Sequence, residues 1–263
     1  MSLSRGTGPV MPRVARSALG LALLLGAWEG SCRLFDVPSH LLPTPSGAAR
    51  TLVADAPLLA PHLAATALAA VLGLAVAAAL GVALALAMHA SRWSRDLLYP
   101  PLVLAQAVPL MAVAPLLIIW FGLGLGAKVF IVGLVCVFPV AVNAYEGFRT
   151  ADPARDELLV TLGAGRAARY RHHLLPATLP GIFAGLRISA TYSVLGAVVG
   201  EWLGGSRGLG VYMTRALQSF RTDRLFAAIA LVMALSLALF WLVDSLGALA
   251  TPWLHRKQPR RES

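Results

Sequence analysis

The stretch FRTADPARDELLVTLGAGRAARYRHHLLPATLP, residues 148–180, interrupts a chain otherwise saturated with alanine, leucine and valine, and its reading decides the fold. It carries Arg149, Asp152, Arg155, Asp156, Glu157, Arg166, Arg169 and Arg171, yet keeps apolar residues at helical spacing. Asp152 followed by Pro153 reads as a helix N-cap and first helical residue, and Asp156 and Glu157 put negative charge where the helix dipole favours it. Leu158, Leu159 and Leu162 form an apolar edge ended by Gly163 and Gly165. A second short helix is expected through Tyr170, His173 and Leu174, with Pro176 stopping it. The shape is helix, glycine turn, helix. Its apolar edge has to be buried against either the chain's own bundle or a soluble partner's groove.

Outward from this stretch the chain is a membrane protein. Of its 263 residues 58% are hydrophobic and 13% charged, against about 25% charged in soluble domains. The formal charge of +10 is split into short basic clusters between apolar runs, the pattern of topology anchors and not of a nucleic-acid-binding face. Six spans are expected in an all-α polytopic bundle: Ala18 to about Phe35, His62 to Met88, Leu97 to Phe121, Lys128 to Glu146, Gly181 to Trp202, and Leu225 to about Leu246. The first is read as retained, because Trp28, Glu29 and Arg33 crowd the place where a signal-peptide cleavage site would lie. Residues 36–61, with Pro38, Pro43, Pro45, Pro57 and Pro61, read as an irregular loop with one short helix. The third span carries Pro100, Pro101, Pro109 and Pro115, whose freed carbonyls need partners inside a bundle or a wet cavity.

Small residues recur every fourth position at Ala65, Ala69, Gly73, Ala77, Gly81 and Ala85, and again at Gly181, Gly185, Ser189, Ser193 and Ala197. Such ridges let another helix approach closely. The next step of four is Glu201, expected near the protein-facing side.

If the N-terminus is cytoplasmic, the segments on that side hold about twice as many basic residues as those outside, which places both termini and residues 148–180 in the cytoplasm. The organisation is then an N-terminal tail (1–16), a transmembrane permease domain (17–250) containing the loop 148–180, and a basic tail (251–263). One outer segment, 204–224, is an exception with four arginines. It reads as a solvated amphipathic helix or as a surface for an acidic partner or anionic solute.

Catalytic patterns are missing. There is no G-x-x-x-x-G-K-[ST] to cradle nucleotide phosphates, and no HExxH. Residues 204–208 fit G-x-S-x-G, but after a membrane helix and not a strand. Cys32 and Cys136 have no metal-ligand spacing and make no disulfide framework. No cofactor and no metal are expected, and any energy source lies in another subunit.

Glu157-Leu158-Leu159, three residues, Gly163, nine residues, then His173-Leu174-Leu175-Pro176 resembles the pattern E-A-A, x3, G, x9, I-x-L-P that marks the permeases of binding-protein-dependent ABC importers. Leu158 and Leu159 replace the two alanines, and His173 replaces the isoleucine. Val108-Pro109, Trp120-Phe121-Gly122, Tyr145-Glu146-Gly147-Phe148, Gly185-Leu186-Arg187 and Pro252-Trp253 resemble the branch handling nitrate, aliphatic sulfonates, taurine and thiamine pyrimidine precursors. The segments 190–193, 196–204 and 220–223 look most like permeases for hydroxymethylpyrimidine-type precursors. The resemblance implies a type I importer fold, a permease homodimer in the cell inner membrane, an ATP-binding ABC subunit below and an extracytoplasmic solute-binding protein above. It also implies ATPase coupling through Asp156, Glu157, Leu158, Leu159, Leu162, Gly163, Ala164, Leu175 and Pro176. Candidate pathway residues are Gln106, Pro109, Asn143, Tyr192 and Glu201, the polar groups at plausible depth together with the proline of the broken span. The competing reading is an ion-coupled secondary transporter with Glu201 and Glu146 as carriers; no inverted repeat supports it.

Overall fold

In a computed structural model, which describes residues 13–254, the chain is helical throughout the described part. Its helices are α1 (Arg13–Leu34), α2 (Pro45–Ala54), α3 (Ala56–Ala90), α4 (Arg92–Ala107), α5 (Leu110–Phe121), α6 (Leu125–Arg149), α7 (Pro153–Thr161), α8 (Arg166–Arg169), a π-helical turn (Tyr170–Leu174), α9 (Leu175–Trp202), α10 (Leu209–Gln218) and α11 (Thr222–Ala250). Residues 1–12 and 255–263, most of the expected tails, lie outside the described residues.

Among the described residues four helices are long and apolar enough to cross a membrane: α3, α6, α11, and the run Arg166–Trp202 formed by α8, the π turn and α9. The pair α4 and α5, bent by 100°, adds a fifth if counted as one span. The expected first span is present as helix α1 but falls outside that set. Its apolar run is short, and Glu29 and Arg33 follow within the same helix. Leu21, Leu23 and Leu24 of that run are exposed on the outside of the bundle. The proline-rich segment is also more regular than expected. Thr44 caps α2 by accepting from the Gly47 amide, and α3 begins at Ala56, so Pro57 falls in its first turn, where a missing N–H costs little, and Pro61 lies inside the helix.

α6 is the centre of the packing, between α3 on one side and α9 on the other. Ala69, Gly73, Ala77, Gly81 and Ala85 are all buried. A Cβ at Gly73 would lie 2.4 Å from Val132, and one at Gly81 would lie 2.8 Å from Val140. On the opposite side the α9 ridge climbs as α6 descends. Gly181 meets the Asn143 carbonyl, Gly185 meets that of Pro139, and the Ser189 hydroxyl donates to the Cys136 carbonyl at 2.9 Å. At both glycines the neighbour is backbone, which cannot move aside as a side chain can, so the small residues set the separation of the two helices. Both ridges therefore serve the close approach expected of them. α11 packs on the other face of α9, where Arg187 donates to Asp244 at 2.6 Å.

Pro176 does not stop a helix. The amide of Leu175 bonds to the Tyr170 carbonyl, five residues back, and this wider turn hands the chain directly into α9. The hydrogen-bond register shifts just ahead of the proline, so its missing N–H falls at the start of α9.

Candidate functional site

The loop between α6 and α9 is held as a bracket at one end of the bundle. Asp152 caps α7 by accepting from the Ala154 amide at 3.0 Å, with Pro153 at the first helical position. The helix closes with two reversed bonds, Gly163 N–H to Val160 at 2.9 Å and Ala164 N–H to Leu159 at 2.9 Å. That pair requires a left-handed residue between them, and Gly163 supplies it at φ +80°. α7 then doubles back on the following helix. The Arg169 guanidinium donates to Asp156 through Nε at 2.8 Å, and a second bond from the same guanidinium completes the fork. His173, which stands where the motif has isoleucine, is buried and lies 3.0 Å from the Asp152 carbonyl through Nε2. A carbonyl only accepts, so Nε2 carries the hydrogen. Below them Phe148, Ala85, Ala144 and Leu174 form a small core, with His89 stacked on Phe148 at 4.9 Å.

This bracket turns its apolar edge outward. Leu158 and Leu162 are 58% and 73% exposed, and Glu157 and Gly163 are exposed beside them. Asp156, Leu159, Ala164 and Pro176 are half-buried, and Leu175 is exposed at the start of α9. Among the described residues, the chain's own bundle buries neither Leu158 nor Leu162.

The hydrogen bonds from Arg169 hold the Asp156 carboxyl below its ordinary value of 3.8. A carboxyl depressed by folding contributes stability above its unfolded value, and that contribution is lost as pH falls through the folded one. The α7 pin is therefore expected to be fully closed at neutral pH and to open only as pH falls below 3.8. Hydrogen exchange of the α7 amides against pH checks this; opening near pH 6 would contradict it.

At the opposite end of the bundle Glu201 is enclosed, at 2% exposure. Its carboxylate accepts from the Gly210 amide at 2.9 Å and from the Thr66 hydroxyl at 3.0 Å, with Lys128 Nζ at 3.5 Å. Lys128 also donates to the Arg207 carbonyl at 2.9 Å. Thr66 in turn accepts from the Leu209 amide at 2.8 Å, and His62 Nδ1 donates to the Gly208 carbonyl at 2.7 Å. One carboxylate thus joins α3, α6, α9 and the N-terminus of α10. The glycines permit the approach, since a Cβ at Gly208 would fall 2.0 Å from the carboxylate carbon. α10 is amphipathic: Leu209, Val211, Tyr212 and Ala216 are buried, Arg215 and Leu217 are exposed, and the Tyr212 hydroxyl donates to Asp55 at 2.7 Å.

The pathway candidates separate. Gln106 and Tyr192 line one pocket of about 290 Å³ with Val108, Leu110 and Leu195, where α4 breaks into α5; Pro109 lies in that break. Asn143 turns back on its own helix, donating to the Pro139 carbonyl at 2.8 Å, and Glu201 is engaged as described. The residues missed from the sequence are His62, Thr66, Lys128 and Gly210. A lysine in an apolar run was a signal, but its partner is 73 residues away.

The pattern of the family described as binding-protein-dependent transport system inner membrane component matches residues 77–250. A probable ABC transporter permease protein of Haemophilus influenzae is 36% identical over 88% of this chain and 95% of its own length. The formylaminopyrimidine transport permease protein ThiX of Halalkalibacterium halodurans is 35% identical over 88% of this chain and 92% of its own. Among solved structures, one described as the crystal structure of an amino acid ABC transporter with histidines superposes with a TM-score of 0.53 at 20% identity. The match covers 77% of this chain and 97% of that one, and it is a likeness of fold.

Proposed function

Since this chain belongs to the family of binding-protein-dependent transport system inner membrane components, a multi-pass membrane permease family, we propose that it forms the solute path of an importer driven by a separate ATP-binding subunit. The observation that carries this reading is the exposed edge of Leu158 and Leu162 on a loop otherwise pinned to the bundle. An apolar edge presented on a fixed support suits a groove in a soluble partner. We assign that groove to the ATP-binding subunit, with Glu157 and Gly163 beside the contact. The loop end is then cytoplasmic, as the distribution of basic residues favours, and the α10 end faces the solute-binding protein. Two copies of the chain enclose the path, which runs by Gln106, Pro109 and Tyr192, while Asn143 and Glu201 hold helices together at its side.

The solute we propose is a pyrimidine precursor of thiamine. The similarity to ThiX supports it, as does a pocket at Gln106 and Tyr192 that no charged side chain lines. Aliphatic sulfonates, taurine and nitrate are the competing solutes. A proton-coupled transporter is disfavoured by Glu201, whose carboxylate is already bound by an amide, a hydroxyl and an ammonium.

The test is uptake by vesicles carrying the chain with its copurifying subunits and binding protein. ATP is expected to drive accumulation of labelled hydroxymethylpyrimidine, with no effect of an uncoupler. Accumulation of taurine in its place would overturn the substrate. Uptake that survives ATP depletion and stops with the uncoupler would overturn the importer.

A further inference from the structure

The covalent link between α9 and α10 is poorly suited to carrying a force. Leu203 to Gly208 contains three glycines, and Gly204 and Gly208 both adopt positive φ, so the link follows conformations that other residues rarely hold. The Glu201 carboxylate bypasses it, reaching across nine residues to the Gly210 amide. Thr66 from α3 and Lys128 from α6 hold the same carboxylate, and Thr66 also accepts from the preceding amide of α10, that of Leu209. α10 is therefore attached to three spans through a side chain as well as through its own backbone connection.

The helix that bears Glu201 is the one that bears the loop's pins. Arg166 to Trp202 is one run of 37 residues, about 55 Å at 1.5 Å per residue. Near its start Arg169 holds Asp156, and His173 holds the Asp152 carbonyl. Near its end Glu201 holds α10.

We propose that Glu201 is a positioning residue that makes α10 the far end of a rod whose near end is α7, so that a displacement imposed on α7 by the ATP-binding subunit reaches α10 on the other side of the membrane. The proposal rests on the importer reading above and adds to it the residue through which the two ends communicate. The physical warrant is a continuous path of helical backbone ended by hydrogen bonds that are part-buried at α7 and buried at α10.

The experiment places a fluorescent label at one of two exposed positions, Arg171→Cys near the start of the rod or Leu217→Cys on α10. The native Cys32 and Cys136 are buried. Labelled chain, purified with its ATP-binding subunit, is trapped with ATP and orthovanadate. In the otherwise unaltered chain both labels are expected to change. With Glu201→Gln, which keeps the shape and loses the charge facing Lys128, the change at position 217 is expected to fall by about threefold or more, as when a coupling contact is lost, while that at position 171 persists. Equal responses at position 217 with and without Glu201→Gln would overturn the proposal. So would a silent position 217 beside a responding position 171 in the unaltered chain. Should Glu201→Gln fail to assemble, Thr66→Val removes the bridging hydroxyl at nearly constant volume, and the same loss at position 217 is expected. Silence at both positions in samples that bind no ATP-binding subunit would instead overturn the importer reading, and this proposal with it.

Discussion

Replacing Gly163 with leucine is expected to cut ATP-driven uptake by about tenfold while the chain still reaches the membrane. Gly163 sits at φ +80°, and a side chain in that region costs about 1–2 kcal/mol, a factor of roughly 5–30 in the population of the correct turn. Space is not the problem, since a Cβ there would meet nothing within 4 Å. The cost is conformational and local: the two reversed bonds at Val160 and Leu159 that close α7 are lost together, and Leu158 and Leu162 no longer face one partner from a fixed angle. Asparagine tolerates the left-handed region, so Gly163→Asn is expected to retain most activity. Glu157→Lys, which reverses an exposed charge in the middle of the same helix beside Leu158, is expected to fail with leucine and not with asparagine. Vesicle uptake, read beside the amount of ATP-binding subunit that copurifies, checks this. Normal uptake by Gly163→Leu and Glu157→Lys would sink the docking role.

Glu201→Ala is expected to have the larger effect on the protein itself, with little of the chain accumulating in the membrane. The carboxylate is enclosed, and removing it leaves the Lys128 ammonium without its counter-charge and the Gly210 amide without its acceptor. Breaking a buried ion pair from one side costs about 3–5 kcal/mol, a large share of the roughly 5–15 kcal/mol that holds a typical domain together. Lys128→Met together with Glu201→Leu removes both charges and is expected to restore part of the loss, because it leaves no buried charge uncompensated. Thermal unfolding of the solubilised chain, followed by fluorescence, measures both. A Glu201→Ala chain as stable as the parent would show that the carboxylate is not holding these helices.

Much of the loop was legible because its signals are local. An N-cap aspartate followed by proline, acids in the first turn and a glycine at the end each act within a few residues, and the structure realises them at Asp152, Pro153, Asp156 and Gly163. The small-residue ridges were legible for a similar reason: a step of four keeps one face of a helix small whatever meets it. What met them was not legible. That α6 is the shared neighbour, with Val132 and Val140 against one ridge and the Pro139 and Asn143 carbonyls against the other, depends on how the helices order themselves in the bundle.

One departure, at Pro176, and the anchorage of Glu201 have the same origin. Pro176 was expected to stop a helix because proline lacks an N–H; the π turn before it shifts the hydrogen bonds by one residue, and the chain runs on. Glu201 was expected to face protein and was grouped with pathway residues, since a lone acid in an apolar span is a functional candidate by default. Tertiary packing gives it three partners, Thr66 of α3, Lys128 of α6 and the Gly210 amide of α10.

By itself, the sequence determined that this is an apolar multi-helix membrane chain with a charged, capped helix–turn–helix loop, since hydropathy, capping and glycine turns are set by neighbours along the chain. Only the tertiary structure decided which face of that loop is free, which helix is central, and that Glu201 ties α10 to the spans. Those outcomes depend on contacts such as Thr66 with Glu201, 135 residues apart, and no local pattern records which distant group will arrive to satisfy a buried charge.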